Sequence, residues 1–327
     1  MSSHRFTPDS TSKQTEWLVR GLFVKSHWCV VAAHPSCGKS FFVEALAMAV
    51  INDKPFLGLD VNGGDVLIID EDTPTDVLNA RLSKFARHYS ASEPKHELFV
   101  HSKEGLSMDD GSMADVVNSY QNIRLLIIDC LVSASGRSDL DKTRDIKFID
   151  DFKSRVHGDN SDMTVIINHH ISTKAQMTPE YAMTCENPQS LVMNNTRIVS
   201  MSDTVYILAS PDNDGILKTL LVRPVARRNM IPAKPFTASL TETDAQMFFD
   251  YGEVLELGHA LSVNDTRALA VFEMGEALTV AAAMARATQY FSDKTMREAL
   301  HTLEDKGYLQ FKMREGKGGR LVYERIM

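Results

Sequence analysis

Cysteine is scarce in these 327 residues: Cys29, Cys37, Cys130 and Cys185 are the full set, with no CxxC pair and no regular spacing. That argues against a disulfide framework, and reduced thiols in a cytoplasmic protein are the expectation. Long apolar runs are also missing. None approaches the roughly 18 residues that would suggest a membrane span. The first residues lack the basic-then-apolar pattern of a secretory signal. Basic charge is not in excess, since 35 Lys and Arg face 43 Asp and Glu for a net −8. A protein that coats nucleic acid over its whole surface is disfavoured, although a local basic groove is not. There is no internal repeat and no low-complexity block.

What is present is ordinary for a folded chain: 43% apolar and 24% charged residues, enough length for a large domain and a small one. Residues 1–14, with Ser2, Ser3, Thr7, Ser10, Thr11 and Ser12, lack apolar periodicity and read as a loose tail. Short continuous apolar runs then alternate with helical stripes. Strands are expected at 28–33, 65–70, 97–100, 124–129 and 163–168, with helices at 40–51, 75–88, 113–120 and 146–156. This alternation predicts an α/β fold with a mostly parallel central sheet covered on both faces. Residues 170–202 break the pattern and read as an unusually long polar loop. Strands resume at 204–209 and 217–223 around the turn signal at 211–215, and 236–240 and 245–251 extend this β region.

The strand at 28–33 runs into Ala33-His34-Pro35-Ser36-Cys37-Gly38-Lys39-Ser40, followed by Phe41. This matches the phosphate-binding P-loop except that Ala33 replaces the first glycine. A loop leaving a strand aims backbone N–H groups inward, and the next helix adds the positive end of its dipole. In this pattern Gly38 lets the backbone approach phosphate, Lys39 reaches the β- and γ-phosphates, and Ser40 ligates Mg²⁺. ATP with Mg²⁺ is therefore the expected ligand, cradled by residues 33–41. Asp129 ends a strand where a carboxylate would complete the Mg²⁺ shell, the alternative being a turn cap. Glu71 is the candidate base for the attacking water, with Asp70 and Asp72 as competitors and a solvated acidic turn as the bland alternative. Cys37 reads as a small loop filler whose place near a helix N-terminus predicts sensitivity to alkylation.

With these pieces placed, the chain resembles the RecA-type ATPases, and within them the RepA-like hexameric helicases of plasmids and phages. The resemblance rests on Trp17-Leu18-Val19-Arg20-Gly21-Leu22, the P-loop, Lys54-Pro55-Phe56-Leu57-Gly58, residues 66–74, Leu125–Asp129 and Val165–His170, and covers about residues 15–240. It implies a RecA-like core hydrolysing ATP between subunits of a homo-oligomeric ring, a hexamer, and translocating on single-stranded DNA during replication. Glu71 then corresponds to the catalytic glutamate, and His169 or His170 to a polar sensor of the γ-phosphate; no third residue is spaced to make that His pair a metal site. Residues 171–202 occupy the place of a loop that contacts single-stranded DNA, with only Lys174 and Arg197 as cations. Arg223, Arg227 and Arg228 lie where an arginine finger serves a neighbouring site, and solvated strand-end arginines are the alternative.

Beyond residue 264 three short helices (266–274, 279–288, 292–306) and a hairpin through Gly316-Lys317-Gly318-Gly319 read as a winged helix-turn-helix. Its expected recognition helix is capped by Ser292 and carries Lys294, Arg297 and Lys306, while Arg314, Lys317 and Arg320 gather at the wing. Duplex DNA or a protein partner are both open. The expected organisation is a tail at 1–14, an ATPase core at 15–252, a linker at 253–264 and the winged helix at 265–327. A DNA-bound regulator or helicase loader that does not unwind is the alternative to a motor.

Overall fold

The computed structural model describes residues 15–89, 93–136, 147–156, 162–171, 182, 185, 187–192, 195–210, 217–227, 234–253, 267–273, 276–287, 292–305, 309–313 and 321–325. The expected tail, most of the linker, the 211–215 turn, Arg228, Lys174, Lys306 and the wing tip lie outside these residues.

A nine-stranded sheet dominates. Its strands are β3 (Trp28–Ala33), β4 (Asp65–Asp70), β5 (Leu98–Ser102), β6 (Ile123–Asp129), β7 (Thr164–His170), β8 (Thr204–Ala209), β9 (Thr219–Arg227), β10 (Phe236–Glu242) and β11 (Met247–Glu253), in the order β11-β10-β9-β8-β3-β7-β6-β4-β5. Five of the eight pairings are parallel, and the three antiparallel ones form the β8–β11 end. The sheet is mixed and mostly parallel, consistent with a RecA-like core. Pro224 sits at a bulge in β9, opposite Tyr206, where its missing N–H disturbs no regular ladder.

The continuous apolar runs are explained by burial on both faces. Alternate residues such as Val31, Ile68, Ile127 and Ile166 join one core cluster, and Val30, Ile69, Ile128 and Ile167 join the other. Helix α1 (Lys39–Asn52) lies in the first cluster and is buried nearly all round, because α2 (Thr75–Tyr89) and the edge strand β11 pack on it as well as the central strands. Its ring contacts include Phe42 against Phe56 and Phe249 at 5.2 and 6.0 Å. Helices α3 (Ser112–Ser119) and α5 (Lys147–Val156) bury Met113, Val117, Phe148 and Phe152 on the opposite face.

Elements too short to carry periodicity emerge only in three dimensions: β1 (Trp17–Val19) with β2 (Phe23–Val24), and α4 (Leu131–Ala134). The expected 170–202 loop is partly helical. A 3₁₀ turn at Pro188–Leu191 and α6 (Asn195–Met201) hold Leu191, Val192 and Ile198 buried against the sheet. Apolar residues gathered at 191–193 and again at 198, without strand or helix periodicity, gave too little signal in a segment otherwise mostly polar.

Residues 267–325 bury a separate cluster around Phe272, Met296, Leu300 and Leu303. The elements are β12 (Ala277–Leu278), α7 (Val280–Arg286), α8 (Asp293–Asp305), β13 (Leu309–Met313) and β14 (Leu321–Arg325), with an antiparallel sheet ordered β12-β14-β13. Thr279 caps α7 by accepting from the Ala282 N–H, and Ser292 caps α8 by accepting from the Thr295 N–H, each at 3.1 Å. No described helix is long and apolar enough to cross a membrane.

Candidate nucleotide site

The site lies at the carboxyl ends of the parallel strands, where loops leave β3, β4, β6 and β7. After Ala33 the chain turns through His34, Pro35, Ser36 and Cys37. Ser36 (φ 60°) and Gly38 (φ 87°) take left-handed conformations. Ala33 ends β3 in extended backbone, so replacing the usual glycine introduces no strain there. Gly38 is the position that requires glycine. Besides its φ, a Cβ there would meet Leu217 Cδ2 at 2.3 Å.

Helix α1 begins at Lys39, whose side chain is only 6% exposed. Its ammonium donates to the His34 carbonyl at 3.2 Å, which among the described residues leaves two donors for a ligand. Burial, and then the charge of Lys39, holds the His34 imidazole below its usual pKa. Cys37 is a correction. Its thiol is buried, contacts the Leu208 carbonyl at 3.7 Å, and is pushed up to about 11 by burial rather than lowered by the helix terminus. Two pK units above the ordinary thiol cut the thiolate fraction about 100-fold. Iodoacetamide labelling at pH 8, followed by mass spectrometry, is therefore expected to modify Cys37 about 100-fold more slowly in the native than in the urea-unfolded chain.

Strand register assembles the acidic side. Asp70 pairs with Asp129 across β4 and β6, and both are buried on the α1 face of the sheet. Burial raises the Asp129 carboxyl, the Asp70 charge raises it further, and a Ser40 hydrogen bond, nearby Asn168 and Lys39 oppose the rise. Asp70 is likewise raised by burial. Asn168 is fully buried, and its side chain lies close enough to Asp129 to favour the ionised carboxylate. Buried carboxylates beside a hydroxyl and an amide form a hard-oxygen environment that suits Mg²⁺.

The three consecutive acids have separate tasks. Asp70 Oδ1 accepts from the Asp72 and Thr73 N–H groups at 2.8 and 2.7 Å and closes the turn after β4. The Glu71 carboxylate accepts from the Gly105 and Leu106 N–H groups at 2.9 and 3.0 Å, while its own N–H donates to the Asp129 carbonyl at 2.8 Å. Asp72 instead meets Cys130, Ser133 and, through Cys130, His170.

Of the two histidines, His169 is fully buried on the face away from α1, because its neighbours Ile167 and Ile171 belong to the opposite cluster. Strand alternation puts His170 on the same face as Asn168 and the P-loop. Among the arginines, Arg223 is held within its own chain by the Ala182 and Cys185 carbonyls at 3.1 and 3.0 Å. Arg227 ends β9 opposite Thr204, which in turn lies beside Cys29. That is the opposite end of the sheet from the P-loop, about 15 Å along the strands.

Sequence reasoning missed Arg81 and Glu44. Glu44 on α1 is 2% exposed and pairs with Arg81 of α2 at 2.7 Å; Arg81 also donates to Thr73 Oγ1 at 3.2 Å and lies 5.1 Å from the centre of the Phe41 ring. Burial drives the Glu44 carboxyl well above its normal range, and Arg81 opposes that rise. A charged residue on the helical stripe facing the core is the one signal that could have exposed this pair.

With the geometry in place, comparison with known proteins is decisive for the family. A model of the AAA domain, AAA_25, matches residues 6–176, just over half of the chain. The chain belongs to this AAA-domain family. No curated protein matches this AAA-domain chain. Among solved structures, one described as an ATPase domain is similar over 71% of this chain and 86% of that one, at 15% identity and a TM-score of 0.49.

Proposed function

We propose that this AAA-domain protein binds ATP with Mg²⁺ at residues 33–41 and hydrolyses it. The observation that carries the reading is the meeting of Ser40 with Asp129 beneath the P-loop, beside the buried Asn168 amide. Ser40 and Asp129 would hold Mg²⁺, which supplies charge neutralisation on the β- and γ-phosphates. Lys39 and the N–H groups around Gly38 bind the phosphate oxygens. Glu71, fixed by two backbone donors, orients the attacking water and takes its proton. The role of γ-phosphate sensor passes from His169 to Asn168, which shares the face of the P-loop. Arg227 or Arg228 serves as an arginine finger for a neighbouring subunit, since the end of β9 is remote from the P-loop of its own chain.

We further propose that the protein works as a RepA-like ring motor on single-stranded DNA, a hexamer with its C-terminal unit acting as a winged helix. Contact with DNA would fall to the 171–202 segment. A second reading, a regulator or loader that does not unwind, is favoured by the charges on α8. Arg297 pairs with Asp293 at 2.8 Å and Lys294 with Glu298 at 3.7 Å, which reduces the free positive charge on the expected recognition helix. A forked-duplex displacement assay, with mass determined with and without ATP, separates the two. A motor is expected to form a ring, to displace the strand and to hydrolyse ATP faster with single-stranded DNA. A monomer with ATP and DNA that displaces nothing sinks the motor reading.

A further inference from the structure

One cluster beside the nucleotide site has chemistry that ATP hydrolysis does not use. Three strand ends bring together Asp72 after β4, Cys130 after β6 and His170 at the end of β7. Cys130 Sγ lies 3.1 Å from Asp72 Oδ2 and 3.7 Å from His170 Nε2, and the three donor atoms all lie within 4.8 Å of one another. Ser133 Oγ, on α4, donates to the other Asp72 oxygen and so orients the carboxylate. Among the described residues this is the one group of three or more His, Cys, Asp or Glu side chains with such geometry.

We propose that Asp72, Cys130 and His170 form a binding site for Zn²⁺ or a similar borderline-soft divalent cation, with Ser133 as its orienting residue. The distances fit such an ion. Bonds of about 2.3 Å to sulfur and about 2.0–2.1 Å to nitrogen and oxygen set tetrahedral neighbours about 3.3–3.6 Å apart. The 3.1 and 3.7 Å separations need only small adjustment, and the Asp72 and His170 donors, within 4.8 Å, need to close by at most about 1.5 Å. One thiolate, one imidazole and one carboxylate select zinc-like ions over Mg²⁺, which prefers oxygen alone. This separates the site from the Ser40–Asp129 pair, although Cys130 directly follows Asp129. Cys130 is 1% exposed whereas Asp72 is exposed, so entry, and a fourth ligand from water, come from the Asp72 side. Binding converts the Cys130 thiol to a metal thiolate and releases its proton to solvent; no electron transfer is involved.

The test is Co²⁺ titration of the full-length, tag-free chain, followed by displacement with Zn²⁺. One equivalent is expected to produce a thiolate-to-cobalt charge-transfer band and tetrahedral visible absorption, both abolished by Zn²⁺. Cys130→Ser should remove the charge-transfer band. Ser133→Ala should keep the band while weakening affinity about 10–100-fold, as expected for an outer-shell partner. Circular dichroism confirms that each variant folds. No band with the wild type, or a band that persists in Cys130→Ser because another cysteine supplies the thiolate, overturns the proposal. The readout needs no ATP, so it is independent of whether the chain hydrolyses nucleotide.

Discussion

Replacing Lys39 with alanine is expected to lower the ATPase rate constant about 10²–10³-fold, equivalent to about 2.7–4 kcal/mol of lost transition-state stabilisation. Lys39 is the cation at the start of α1 with donors left for a ligand; among the described residues its ammonium makes one hydrogen bond, to the His34 carbonyl. It is also buried at 6% exposure, where Coulomb interactions are less screened than at the surface. It sits near Asp129, whose ionisation it favours. Its loss therefore removes a charge from the proposed phosphate site and leaves the buried Asp129 carboxylate less compensated. Steady-state phosphate release with saturating Mg²⁺ and ATP measures the effect, and unchanged circular dichroism shows that the fold is kept. A loss below about threefold would show that Lys39 does not face the transferred phosphate.

Arg81→Met is expected to destabilise the fold by about 3–5 kcal/mol at pH 8, the usual cost of stranding one member of a buried ion pair. Glu44 is almost wholly enclosed, and Arg81 is its ion-pair partner at 2.7 Å. Methionine keeps much of the stem volume, so charge rather than cavity is tested. The effect should depend on pH. The folded-state pKa of Glu44 is raised above its unfolded value, so the native state binds this proton more tightly than the unfolded chain. Stability from that proton is present at low pH and is lost as pH rises through the folded pKa. Removing Arg81, which opposes the rise, moves that window upward. The variant should consequently lose less stability at pH 5 than at pH 8, as read from urea midpoints. Glu44→Gln added to Arg81→Met should recover much of the loss, and equal destabilisation at both pH values would rule out the charge explanation.

Much of the core was legible along the chain because its signals are local. Apolar runs such as Val66–Ile69 and Leu125–Ile128 declare buried strands by composition, and the Gly38-Lys39-Ser40 turn declares itself by spacing. Glu71 and Asp129 stood out as candidates from their places at strand ends, and the resemblance added the expectation that Glu71 is the catalytic glutamate. Where periodicity was short or diluted, as in β1, β2, α4 and the 188–201 segment, nothing in a single-sequence window marked the element. Those segments are held by contacts made elsewhere in the chain: Val192 and Ile198 are buried in the same cluster as Trp28 and Val205.

The sequence by itself determined that this protein has an α/β frame with a P-loop-like turn leaving one of its strands. Only the tertiary structure decided which residues share the site. Alternation along β7 sent His169 to one face and His170 to the other, though they are adjacent in sequence. Register across β4, β6 and β7 brought Asp72, Cys130 and His170 together from positions 58 and 40 residues apart. Burial, too, reversed the expectation for Cys37, because enclosure by β8 outweighs the helix terminus. The physical reason is common to all three: local sequence sets what a segment becomes, while partners and solvent exposure are properties of the assembled sheet.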